Sequence, residues 1–325
     1  MRLFLFLFAL FIPFSAAAQH CGTENLIKSL SAEDRARLDA LVAPHAYATG
    51  NLWRAEKDGS TVTVVGTLHL PDNRHQPTMD AIRAPLENAD LLIMEATSEA
   101  QKAVQTLTVT QPDLFFFTEG PTLIDHLTEE EWSRLQEELA EFGMPGFMAA
   151  KFKPWFIAMT LAMPTCAVKA IQSGEKGLDF LIEDVALANN VPIAELDEIE
   201  PLMKLLAGDP IEKQLDGLRI WLELQTDDDA AFTTMVEGYF EGRVREVWEY
   251  TRILLEQRGL ENGEDLFEEI NQQLLEARNR QWEPKIAELV AGQNVVLAVG
   301  AAHLSGESGV LRALERAGYR ITPLE

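Results

Sequence analysis

The sequence predicts an α/β fold: a central, mainly parallel sheet flanked by helices, with large helical insertions. Three observations carry this expectation. Apolar runs of strand length, TVTVVGTLH (61–69), ADLLIMEA (89–96) and NVVLAVGAAH (294–303), lack the strict alternation of a half-exposed strand, and continuous apolar runs suit strands buried on both faces of a parallel sheet. Between them the apolar spacing becomes helical, as a strand–helix–strand crossover requires. Two of the runs also finish alike, on Gly-x-x-His.

In chain order, residues 1–18 come first, placing one cation, Arg2, before an apolar run that ends in small residues. That is the layout of a secretory signal peptide. The run is about a dozen residues where a bilayer span needs roughly twenty, so cleavage after Ala18 is expected to leave no membrane anchor. Residues 19–325 are expected to form one domain in the periplasm or outside the cell. The two cysteines, Cys21 and Cys166, point in an exported chain to a disulfide tying the N-terminal segment to the body.

After the first strand, MDAIRAPLENA reads as a helix with Thr78 as N-cap, leading to the second strand as a βαβ unit would. GLDFLIEDVALANN followed by VPIAELD (191–197) repeats that rhythm. Helical insertions are expected over about 98–175 and 198–291, packed on or over the sheet. At the C-terminus a helix ended by Gly318 leads into a last strand, YRITPLE (319–325).

The charge balance narrows the function. Lys+Arg 27 against Asp+Glu 52 gives −25; such a surface repels phosphates, so neither nucleic acid nor an anionic membrane is expected as a partner. The acidic residues are scattered along amphipathic segments such as EEEWSRLQEELAEF, the pattern of solvated helix faces.

In open parallel sheets ligands bind outside the carboxyl ends of the strands. His69 and His303 occupy that position, each three residues after a glycine, Gly66 and Gly300. Glu95 ends LLIMEA near the same edge. Two imidazoles and a carboxylate form a common divalent-metal set that suits Zn, Mn, Co or Fe. A metal so held lowers the pKa of bound water and polarises a carbonyl, which is a mechanism for hydrolysis.

The remaining candidates carry less. His45, His75 and His126 fall in loop-like contexts, while Asp179, Glu183 and Asp197 read as solvated carboxylates. Arg278 reads as a helix surface residue that could steady an oxyanion if it folds back to the sheet edge. Ser305 and Ser308 lack a nucleophile-elbow setting, and no phosphate-cradling glycine loop is present.

The motifs GTLHLPD, LLIMEA, KPW (153–155), KGLD (176–179), PIAELDE (192–198), EARNRQW (276–282) and AVGAAHLSGESGVLRALERAGYRITPL, in this order, resemble the TraB/GumN family. That family is related to the Tiki metalloproteases and, more distantly, to erythromycin-esterase and ChaN-like proteins. The resemblance implies a metal-dependent hydrolase acting on a peptide or protein, with His69 and His303 as the motif histidines, Glu95 as the acidic residue and Arg278 as the motif arginine. Asp197 stands where the family pattern leads one to expect Glu. The rival expectation is a non-catalytic binding or regulatory protein that captures a peptide, haem or a polysaccharide-related ligand.

Overall fold

Asp58 and Gly59 take left-handed φ values of 49° and 88°, the pair of positive angles a type I′ hairpin needs. They join β1 (Leu52–Lys57) to β2 (Ser60–Thr67), with Lys57 opposite Ser60. β1 is absent from the sequence expectation, yet Trp53 and Ala55 are buried in alternation with exposed Arg54. The computed structural model describes Gly22 and residues 24–324 apart from 164, 225–227, 258 and 260–262. The expected signal segment 1–18 lies outside the described residues, as does Cys21, so its pairing with Cys166 does too.

β3 (Leu91–Met94), β4 (Ile193–Glu195), β5 (Val295–Gly300) and β6 (Arg320–Pro323) complete a sheet of order β4-β3-β5-β2-β1-β6. β4, β3, β5 and β2 are parallel, whereas β1 runs antiparallel to both its neighbours. The chain thus adopts the expected α/β fold. The apolar runs outlast the strands: β2 stops at Thr67 and β5 at Gly300, which leaves both motif histidines in the turns beyond.

Apolar side chains cover both faces of the central strands. Val295, Leu297 and Val299 of β5 pack with Trp282, Ile286, Leu311 and Leu314, while Val296 and Ala298 pack with Ile82, Leu86, Ile182 and Ala186. The first layer comes from the helices Ala277–Leu289 and Val310–Arg316, the second from Gln76–Glu87 and Leu178–Ala188. Thr78, expected as an N-cap, lies inside the helix that begins at Gln76. Pro77 in its first turn is the better start signal, because an N–H there has no intrahelical partner to lose.

Between β3 and β5 most of the chain is helical, and part of it has a core of its own, where Leu123, Leu135, Leu139 and Ile157 meet Leu215 and Leu218. Among the described residues no helix is long and apolar enough to cross a membrane. Glu183 is buried, correcting the expectation of a solvated carboxylate. Both its oxygens accept from the Ser98 N–H, at 3.1 and 3.0 Å, at the start of the Ser98–Thr110 helix, where the helix dipole favours an anion.

The two glycine turns touch. A Cβ on Gly66 would stand 2.8 Å from Leu304 Cδ1 and 2.9 Å from Ala301 Cβ, and neither Gly66 nor Gly300 has a positive φ. Neither glycine serves a left-handed turn; what Gly66 supplies is space. Behind the second turn, Arg245 donates to the Ser305 hydroxyl at 2.8 Å and to its carbonyl at 3.1 Å. Ser305 is thereby a buried structural residue. Buried Glu249 in turn accepts from Arg245 at 3.3 Å and from Arg252 at 2.9 Å, and faces His45 at 3.1 Å.

Two stability outcomes follow from these contacts. Gly66→Ala should cost about 2 kcal/mol through overpacking, read from denaturant melts; an unchanged midpoint would contradict the tight contact. Glu249→Gln should cost about 3 kcal/mol at neutral pH by stranding buried Arg245. Burial alone would raise the Glu249 pKa, but the His45 hydrogen bond and the Arg252 and Arg245 charges hold it below its ordinary 4.5. The ionic contribution is therefore complete above that value and lost as pH falls through the lower folded one, so the deficit of the variant should narrow in acid.

Candidate functional site

His69, Glu95, Arg278 and His303 meet at the carboxyl ends of β2, β3 and β5. From the position a Cβ would take on Gly300, Glu95 Oε2 is 3.3 Å away, His303 Cδ2 3.5 Å and His69 Nε2 4.0 Å. A Cβ at residue 300 would press on Glu95 by a few tenths of an ångström, while both imidazoles stand at ordinary contact distance. The Gly300 N–H donates to Glu95 Oε2 at 3.2 Å.

Each imidazole is fixed from behind. His303 Nδ1 lies 2.8 Å from Asn279 Oδ1, and Arg278 Nη1 lies 3.2 Å from His303 Nε2. A guanidinium can only donate, so Nε2 carries the lone pair and Nδ1 the proton. Burial pushes the His303 pKa down to about 4, which keeps the ring neutral at physiological pH. His69 Nδ1 lies 3.2 Å from Asp179 Oδ2, and that hydrogen bond holds the His69 pKa above its ordinary value. Asp179, expected in solvent, is instead buried.

Arg278 is turned inward, so it is not the exposed helix residue that its sequence context suggested. Its Nη2 donates to both Glu95 and Asp197, and its guanidinium lies 4.8 Å from the centre of the Trp282 ring. Trp282 Nε1 donates to the other oxygen of Asp197 at 2.7 Å. Asp197 therefore holds Arg278 from one side while Glu95 meets it from the other. Burial alone would raise the Glu95 pKa, but the flanking imidazoles and Arg278 pull it down to about 2.

A π-helical stretch, Gln272–Glu276, interrupts the helix immediately before Ala277–Leu289. Such stretches recur at functional sites because they rotate the following turns; here Arg278, Asn279 and Trp282 all reach the site. On the opposite side, Gly177 lies against the first turn: a Cβ there would stand 2.3 Å from the His69 carbonyl carbon. The Leu178 N–H donates to Leu68 O at 3.0 Å, holding Asp179 against His69.

His69 and Glu95 border a cavity of about 330 Å³, together with Thr67, Thr97, Asp179 and apolar side chains from the neighbouring helices. The His69 side chain is 61% exposed, whereas that of His303 is 5% exposed. The cavity is thus bordered by His69 and Glu95, while His303 and Arg278 are not among its lining residues. The other described histidines lie elsewhere: His75 is buried, its Nε2 2.8 Å from Leu70 O, His126 stacks on Phe117 and His45 faces Glu249.

The donor chemistry suits a small divalent ion: two imidazoles tethered at Nδ1, which leaves Nε2 to ligate, and an ionised carboxylate beside them. Among the described residues no group of three or more His, Cys, Asp or Glu side chains is spaced to hold a metal ion. In this arrangement the Arg278 guanidinium is the cation of the site. Sequence reasoning missed Asn279, Trp282 and the role of Asp179, although EARNRQW and KGLD contain them. Asp179→Asn should lower the His69 pKa, read from the imidazole proton shifts in an NMR titration; an unshifted titration would show that the two side chains are not coupled.

The family model described as the TraB/PrgY/gumN family matches residues 51–323. Relatives include the uncharacterized protein YbaP of Escherichia coli (strain K12) and that of Shigella flexneri. Each is 24% identical over 255 residues, covering 77% of this chain and 86% of the relative.

Proposed function

Because the chain belongs to the TraB/PrgY/gumN family, we propose that it is a metal-dependent hydrolase of carbonyl bonds, peptide bonds foremost, working outside the cytoplasm. The signal-like residues 1–18 support the location. The observation that carries the chemistry is the convergence of tethered His69, tethered His303 and ionised Glu95 beside Gly300, at the wall of a cavity open to substrate.

His69, Glu95 and His303 would hold the ion, and Zn, Mn, Co or Fe would each suit the set. A divalent ion bound there supplies a water of lowered pKa and polarises the carbonyl. Asp179 and Asn279 keep a proton on each Nδ1 and so direct each Nε2 lone pair toward the site. Arg278, anchored by Asp197 and backed by Trp282, keeps Glu95 anionic. His303 would hold the ion through Nε2, the atom that Arg278 Nη1 faces at 3.2 Å in this structure. Without an ion, the same lone pair on His69 accepts a proton from water, and Asp179 stabilises the resulting imidazolium.

Metal analysis of protein purified without chelator, with cleavage of a mixed peptide library, tests this reading. About one ion per chain is expected, with cleavage abolished by chelation and restored by added metal. His69→Ala and Glu95→Gln should each lower kcat/KM by about 100-fold or more. Cleavage that persists unchanged in both variants rules the hydrolase out. Cleavage lost in both but indifferent to chelation keeps hydrolysis and removes the ion.

A further inference from the structure

Away from its charged end, the cavity beside His69 continues as an apolar corridor. Val104 of the Ser98–Thr110 helix, Ile171 of Thr165–Gln172, Phe180 of Leu178–Ala188, and Met163 and Ile199 line it. Ile171 is 40% exposed despite being apolar, so an occupant of the corridor would remove its surface from water. At about 330 Å³ the cavity is at the small end for ligand sites; it fits a bulky side chain better than a long acyl chain.

The ionisable lining groups are His69, Glu95, Asp179 and Glu175, with no Lys or Arg among them. Glu95 faces Arg278 and Asp179 faces His69. Glu175, exposed at the rim, accepts a 3.2 Å bond from the Ser173 hydroxyl and has no cationic partner among the described residues. A chain of net charge −25 adds its own field.

We propose, resting on the hydrolase reading of this site, that the substrate is a peptide with a large apolar side chain in the corridor and a positive group beside Glu175. Burial of the apolar side chain against Ile171 and Phe180 provides the selective affinity. Glu175 pairs with a lysine, an arginine or a terminal ammonium, and the field disfavours acidic peptides. The apolar walls offer no row of polar groups for the hydroxyls of a sugar.

The test uses internally quenched peptides that differ at one position (Leu, Phe, Gly or Asp) and carry either Lys or Glu nearby. The full chain should favour Leu and Phe over Gly by about tenfold in kcat/KM, and Lys over Glu. Ile171→Glu should erase the apolar preference and Ile171→Leu should keep it, while Glu175→Lys should reverse the charge preference. Both positions are exposed, and thermal melts control for folding. Equal cleavage of all peptides, or variants with the wild-type preference, overturns the substrate proposal while leaving hydrolysis intact; faster turnover of acyl esters than of any peptide overturns it too. If nothing is cleaved, fluorescence anisotropy with the same peptides decides. Tighter binding of the apolar, cationic peptide that Ile171→Glu abolishes sustains the corridor and removes only the hydrolase; equal binding overturns the corridor.

Discussion

β2 and β5 run side by side with Thr67 opposite Gly300, so two turns more than two hundred residues apart leave the sheet at one level. That register is what makes a shared site possible. Gly300 lies close against Glu95, and at Gly66 the missing side chain leaves the room that Ala301 and Leu304 occupy. Close packing tolerates no spare methyl group in such a contact. The glycines act by what they omit.

Around that contact the polar groups are arranged in pairs. Asp179 stands behind His69, Asn279 behind His303 and Asp197 behind Arg278. Each pairing compensates a polar group for the water it has lost, which would otherwise be costly at this depth. The helix that follows the π-helical stretch carries three site residues, Arg278, Asn279 and Trp282, and the Arg245–Ser305 bonds hold the turn that carries His303. Positioning is thus spread over elements distant in sequence.

Much of this was legible in the sequence because buried parallel strands have a strong signature and because ligand sites lie at their carboxyl ends. His69, Glu95 and His303 could be placed from strand context, and Arg278 from its motif. What was not legible depended on tertiary contacts. Asp179 looks like any acidic residue on an amphipathic helix until Gly177 is seen against the His69 backbone. β1 was overlooked although Asp58-Gly59 is a strong hairpin signal, because LWRAEK is short and half polar. Thr78 was read as a cap through its residue type, whereas Pro77 marks the start.

The unequal exposure of the two histidines divides the site into a back plate and a front. The back, with His303, Arg278, Asp197 and Trp282, is built from strand ends and the helix packed on the sheet; loss of Arg278 there strands the carboxylates of Glu95 and Asp197. The front, beyond His69, is walled by helices inserted between β3 and β5, whose side chains face solvent and carry few such obligations. The lining of the cavity can therefore change with the surface of the insertions while the buried cluster behind it stays fixed.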